Sequence, residues 1–280
     1  MTGEEIRFKS LQYRLKTLKL IKKANTGHTG GDLSSTDILN VLYNHVLNIS
    51  ASNFQDPDRD RFIMSKGHSV EVLYTVLADC GFFSESDLES AGRYQSHFVG
   101  HPTRKIPGIE QNTGALGHGL PIATGIAIAG KKDHAAYKVY TLLGDGEMAE
   151  GSNWESLMLA AHYKLDNLVA IVDRNRLQIT GGTEEVCALE PLQEKLESFG
   201  WAVKSIDGHR ISELMCTLQS VPFQHAKPSF IIANTTKGKG VSFMENNKKW
   251  HHGVPSDDQF ETAITELETQ LNKLKTTQSN

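Results

Sequence analysis

The chain has 280 residues, 39% of them hydrophobic, which is enough length and apolar material for a packed core and excludes disordered, collagen-like and low-complexity classes. Against 29 Lys and Arg stand 33 Asp and Glu, and the net charge of −4 excludes a general nucleic-acid binder, which needs a clustered basic surface. The three cysteines, Cys80, Cys187 and Cys216, have no CxxC spacing and an odd count. That argues against a disulfide framework or a structural zinc site and for a reducing, cytoplasmic setting. No run reaches the ~18 apolar residues of a membrane span, and the N-terminus has no apolar signal core, so neither a membrane segment nor a secretory signal is expected.

In chain order, residues 4–23 read as an amphipathic helix, with Phe8, Leu11, Leu15 and Leu18 at helical spacing. Arg7, Lys9, Arg14, Lys16, Lys19, Lys22 and Lys23 mostly fill the other face. Such a helix is compatible with an organelle address or a membrane-surface element, but Glu4 and Glu5 favour a solvated face. Helices are predicted over 35–47, 69–79, 85–91 and 119–130, a strand over 138–143, a helix over 152–163 and a strand over 167–172. A helix over 190–198, strand 202–206, helix 210–220, strand 230–233 and helix 256–275 follow, the last with Ile264, Leu267, Leu271 and Leu274 in helical register. The strands are short and rich in Val, Ile, Leu and Ala, as strands covered on both faces are. Alternation with helices predicts a single α/β domain over 1–280, with a mostly parallel central sheet and helices on both faces. Ligands of such sheets sit beyond the carboxyl ends of the strands.

The unusual residues fall there. Strand 138–143 runs into Gly144-Asp145-Gly146-Glu147, and strand 167–172 into Asp173-Arg174-Asn175-Arg176-Leu177. Asp145 and Asn175 are one strand–helix–strand unit apart, which places both at the same edge of the sheet. A carboxylate, an amide oxygen and a backbone carbonyl near Leu177 are hard oxygen ligands of the kind magnesium takes when phosphate and water complete its octahedral shell. Gly144 and Gly146 let backbone N–H groups approach a phosphate. Asp145 alone would repel a diphosphate, so the ion is needed as a bridge. The plainer alternative is a strand end, a glycine turn and a capped helix.

Twelve histidines are present, and several sit beside glycine, among them His28 in TGHTGG, His68 in SKGHS, His101 in GHP and His252 in HHGVP. A histidine on a glycine-rich loop suits recognition or proton transfer, although loop histidines are common at surfaces. No HExxH or Cys/His spacing points to zinc. Together with the diphosphate signal, the four suggest a channel whose imidazoles bind hydroxyls and phosphate and relay protons.

The GDG run followed by Asn resembles the thiamine-diphosphate motif. GHTGGDLS at 27–34, RDRFIMSKGH at 59–68, NTGALGHGL at 112–120, GDGEMAEGSNWE at 144–155, DRNRLQITG at 173–181 and TKGKGVSFMEN at 236–246 resemble transketolase, in that family's order and over nearly the whole chain. The similarity is to the N-terminal, diphosphate-binding half, as in split transketolases of two polypeptides. The resemblance implies magnesium on Asp145, Asn175 and the Leu177 carbonyl. It implies thiamine diphosphate against Gly114, Leu116, Gly144, Asp145, Gly146, Glu147 and Asn175. His68 and His252 would lie near the diphosphate, and His28 and His101 near the sugar hydroxyls. Glu150 resembles a glutamate of proton communication across the subunit interface, although a carboxylate at a helix N-terminus is equally what the dipole favours. The run WHHG leaves His251 as an alternative to His252. Lys237 is a phosphate candidate by charge, with a solvated loop lysine as the commoner reading.

In that family the pyrimidine pocket, its activating glutamate and the arginines for the substrate phosphate belong to a second domain, for which no room remains after residue 246. The resemblance therefore implies a separate C-terminal subunit in an α2β2 assembly, and transfer of a two-carbon ketol unit between sugar phosphates. Leu157, Met158 and Leu159 are interface candidates, with plain core as the alternative. A 1-deoxyxylulose-5-phosphate synthase-like half, a transketolase for an unusual pentose, the α chain of a 2-oxo-acid dehydrogenase and a non-catalytic paralogue are the other readings.

Overall fold

The structure is a computed structural model that describes residues 1–278; positions 279 and 280 of the expected domain lie outside the described residues. Five strands form one sheet, with every pairing parallel: β1 Arg61–Met64, β2 Val139–Gly144, β3 Leu168–Arg174, β4 Ala202–Asp207 and β5 Ser229–Asn234, in the order β1-β2-β3-β5-β4. The α/β expectation holds. Successive residues of β2 face opposite layers: Tyr140 and Leu142 join a core with α1 Gly3–Ala24, α2 Thr29–Val41, α3 Val70–Asp79 and α8 Ile211–Gln219. Val139 and Leu143 join the other core with α4 Gly119–Lys132, α5 Gly151–His162 and α7 Leu192–Ser198. The one-turn helix α6 Thr183–Val186 lies between β3 and α7 in sequence. A third cluster packs α1 against α9 Asp257–Gln278 through Leu11, Leu15, Leu18, Ile264 and Leu267.

Four differences from expectation have physical causes. Strand β1 was hidden inside RDRFIMSKGH, because four residues between charges carry no readable period. Edge strand β4 is not covered on both faces, since Lys204, Ser205 and Asp207 are exposed. Helix α2 starts at Thr29 rather than 35, so the glycine run is helix and not loop, and the helix gives way to a π turn at Leu42–Val46. Its glycines serve clearance: a Cβ at Gly30 would lie 2.8 Å from the Trp250 carbonyl oxygen, and one at Gly31 would lie 2.5 Å from Ser69 Oγ. Arg14, placed on the polar face of the first helix, is buried in an ion pair with Asp37 (2.7 Å).

Helix α1 packs on α2, α3, α8 and α9, and its first turn is closed by a Thr2–Glu5 capping box. Of the interface candidates, Leu157 is core, whereas Met158 and Leu159 are exposed, as is Tyr163 at the end of the same helix. Among the described residues no helix is long and apolar enough to cross a membrane.

Candidate active site

Strands β2 and β3 end side by side, with Gly144 paired to Asp173, so the loops that follow them share one edge of the sheet. Asp145 Oδ1 accepts from the Gly146 amide (2.8 Å), and Oδ2 accepts from the Arg176 amide (2.5 Å) and Arg174 Nη1 (3.2 Å). Asn175 Oδ1 accepts from the Leu177 amide (3.2 Å), and Nδ2 donates to Asp173 Oδ2 (3.2 Å) and Ser34 Oγ (3.4 Å). The Leu177 carbonyl accepts from Lys237 Nζ (3.0 Å). The fold thus brings Asp145, Asn175 and Leu177 onto adjoining loops. Burial, and then the Asp173 charge, push the Asp145 carboxyl above its ordinary pKa. An anionic group held at such a cost suits a cation.

Glu147, expected against the cofactor, turns into the protein. Its Oε1 accepts from Ser65 Oγ and the Gly117 amide (2.9 Å), and its Oε2 from the Gly144 amide (2.9 Å). It ties three loops of the site together. Lys237 is no solvated loop residue: it is 2% exposed, and burial followed by the Lys66 charge lowers its pKa to about 8. Lys66 is itself buried, donating to Asp173 Oδ2 (2.5 Å) and the Gly31 carbonyl (3.1 Å). The SKGH and DRNR runs were legible, but the pairing of their Lys66 and Asp173 was not.

Five imidazoles converge above this edge. His28, at the N-terminus of α2, has ring centroids of His68, His101, His251 and His252 at 5.1, 6.4, 5.7 and 4.7 Å. His251 stacks on His68 at 5.5 Å and 25° between planes, and it is half-buried, while His252 is exposed. The two alternatives of the WHHG run are therefore both present, His251 inside and His252 outside. Burial and neighbouring His and Lys charges lower His28 to about 4 and His251 to about 3 and hold His68 well below its ordinary value; burial lowers His101 too. At neutral pH His28, His68, His101 and His251 are uncharged and offer one donor and one acceptor each.

Gly114, at φ +132°, has its missing Cβ 2.5 Å from His101 Cδ2, so the bare backbone is what lets that ring approach the loop. Leu116 is half-buried in the same loop, and Glu150 is exposed at the N-terminus of α5 beside Gly117, whose Cβ would lie 2.5 Å from Glu150 Cβ.

Residues 9–273 match the family described as transketolase, thiamine diphosphate binding domain. The chain is 46% identical over 275 residues to one subunit of the apulose-4-phosphate transketolase of Phocaeicola vulgatus, covering 98% of both chains. It is 37% identical over 263 residues to human transketolase, covering 94% of this chain but 42% of that protein. The solved transketolase of Campylobacter jejuni superposes with a TM-score of 0.84 at 30% identity, covering 98% of this chain and 48% of that one. The chain thus spans under half the length of these two larger transketolases and nearly all of the Phocaeicola subunit. It belongs to the transketolase family and constitutes the thiamine diphosphate binding part.

Proposed function

We propose that this transketolase subunit seats the diphosphate of thiamine diphosphate through a magnesium ion on Asp145, Asn175 and the Leu177 carbonyl, and that a second polypeptide completes the active site. The donor set fits the ion. Among the described residues no three His, Cys, Asp or Glu side chains gather as ligands, so an ion here has one charged protein ligand and two neutral oxygens. Magnesium tolerates that when phosphate oxygens and water fill its shell. The observation that supports the reading is that Asp145, Asn175 and Leu177 lie on adjoining loops past the ends of β2 and β3, in a chain that also gathers five histidines.

The bound cofactor supplies an electron sink that stabilises charge when a carbon–carbon bond breaks. This chain does the rest of its share by binding. Lys237 places a buried positive charge at the loop after β3, where a diphosphate would be neutralised. His28, His101 and His251 present neutral rings that accept from one sugar hydroxyl and donate to another, with His252 beside them. Gly114 and Leu116 line the approach, and Glu150 stands at its open flank.

The substrates of this reading are a ketose phosphate donor and an aldose phosphate acceptor, and the name of the Phocaeicola relative makes apulose 4-phosphate the first donor to assay. The exposed Met158, Leu159 and Tyr163 offer the partner an apolar face, in an α2β2 assembly. Titration of thiamine diphosphate into the chain, with and without magnesium, tests the seat. Binding should need the ion and should vanish in Asp145→Ala; binding that ignores both removes the metal assignment. Ketol transfer should require co-purified partner, and turnover by the chain alone refutes the division of labour.

A further inference from the structure

Away from the histidine cluster, the carboxyl ends of β4 and β5 hold a charge relay that the reading above does not use. His209 follows β4 in the run Asp207-Gly208-His209, and Thr235-Thr236-Lys237 follows β5. His209 Nε2 accepts from the Thr236 amide at 2.8 Å. An amide N–H can only donate, so the ring proton sits on Nδ1, which faces Asp37 Oδ2 at 2.8 Å. Arg14 grips the same Asp37 with both terminal nitrogens (3.1 and 2.7 Å), reaches the Leu33 carbonyl (3.2 Å) and donates Nε–H to the Lys239 carbonyl (3.0 Å). Burial opposes ionisation of Asp37, yet Arg14 and His209 hold its carboxyl well below the usual range. Gly208 has no room for a side chain, since its Cβ would lie 2.5 Å from Thr235 Cγ2.

We propose that His209, oriented by Asp37 and Arg14, is a positioning residue that fixes the Lys237 segment on the diphosphate side of the site. The relay holds that segment at two points, the Thr236 amide and the Lys239 carbonyl, on either side of Lys237. Next to these points Thr235 Oγ1 is bonded to Asp173, and the Gly238 amide donates to the Gly30 carbonyl (2.9 Å). The lysine head is thereby aimed at the Leu177 carbonyl rather than left to wander, and an aimed charge binds an anion more tightly than a free one. His209 touches none of the five site imidazoles in this arrangement and acts only through the backbone.

This inference rests on the diphosphate seat proposed above. The test is calorimetry of inorganic pyrophosphate with magnesium on the full chain. His209→Asn keeps an amide for Asp37 but falls short of Thr236, while His209→Gln reaches Thr236 with its oxygen. His209→Asn should weaken binding by about tenfold, the scale of one lost hydrogen bond. His209→Gln should recover most of it at a similar melting temperature. In a Lys237→Met background, His209→Asn should add less than about twofold, because the two act as one unit. Wild-type affinity in His209→Asn, or an equal loss with and without Lys237, overturns the proposal. A nitrogen NMR spectrum of the wild-type ring needs no variant: a proton on Nε2 overturns it as well. Failure of the wild-type chain to bind magnesium pyrophosphate would instead sink the seat itself.

Discussion

Asp173→Asn probes the charge that underlies the whole site. Asp173 has no solvent exposure and accepts from Lys66 Nζ (2.5 Å), Ser34 Oγ (2.6 Å), Asn175 Nδ2 (3.2 Å) and Thr235 Oγ1. Burial raises its pKa, but Lys66 outweighs that and holds it below the ordinary value. The substitution leaves the buried Lys66 ammonium with the Gly31 carbonyl and a neutral amide oxygen. Breaking a buried pair from one side costs about 3–5 kcal/mol. At roughly 2 °C per kcal/mol for a chain of this size, the melting temperature should drop by about 6–10 °C. Lys66→Met should cost less, since Asp173 keeps three donors and can take up a proton. The double variant should cost less than the sum of the singles. Thermal denaturation followed by circular dichroism measures all three. A drop under about 2 °C in Asp173→Asn, or strict additivity in the double variant, refutes the claim that this pair carries the site's charge balance.

Three further outcomes follow from the same geometry. His28 and His251, at about 4 and about 3, lie below the ~6.5 of an unfolded histidine, so the unfolded chain binds more protons in between. Stability should be flat above pH ~6.5 and should fall as pH drops, by about 1–2 kcal/mol per ring at pH ~5 after solvent screening; denaturant titrations at pH ~7 and ~5 in the wild type and in His28→Asn/His251→Asn check it, and an unchanged slope in the variant counts against it. Gly114→Ala should displace the His101 ring and lower turnover of the assembled enzyme by at least about tenfold with little change in melting; full activity would mean the loop yields. Leu157→Ala should cost about 2–5 kcal/mol as a core truncation, whereas Met158→Glu with Leu159→Glu should leave melting unchanged and abolish co-elution with the partner; retained co-elution would move the interface elsewhere.

What was legible in the sequence is what is local. The period of Leu11, Leu15 and Leu18 showed α1, and the apolar runs at 138–143 and 167–172 showed β2 and β3, because a chain segment that buries one or both faces must write that in its own residues. Asp145 and Asn175 could be placed together because each directly follows such a strand. Partners far apart in the chain left no such mark. Lys66 and Asp173 are 107 positions apart, and Asp37 and His209 are 172 apart. Nothing near Lys66 says that its charge is buried, and Arg14 sits in a row of lysines that are half-buried or exposed. Gly30 and Gly31 misled for a related reason. Their residue type signals a loop, while their work is clearance in the first turn of a fully buried helix, and the obstructing atoms come from Trp250 and Ser69.

The histidine cluster also bears on how labour divides between two chains. Its rings come from four separate segments, and the contacts that gather them all lie inside this chain. His28 forms a bridge with Gly253, whose amide donates to the Gly27 carbonyl (3.2 Å), and Thr29 Oγ1 donates to the Gly253 carbonyl (2.7 Å). Gly238 ties the Lys237 segment to Gly30, and Glu147 ties the 114–117 loop to β2. If the proposed seat is right, these bonds are expected to build it within this chain, and the proposed second polypeptide would bring the groups absent here. The chain purified alone should therefore bind magnesium pyrophosphate with an affinity within about tenfold of the assembled enzyme, because most of the ordering cost is already met by intrachain bonds. Thiamine diphosphate, whose pyrimidine pocket would lie on the proposed partner, should gain far more from that partner than pyrophosphate does. Equal gains for the two ligands would show that the partner orders the diphosphate seat after all, and the intrachain bonds named here would then be too weak to hold it.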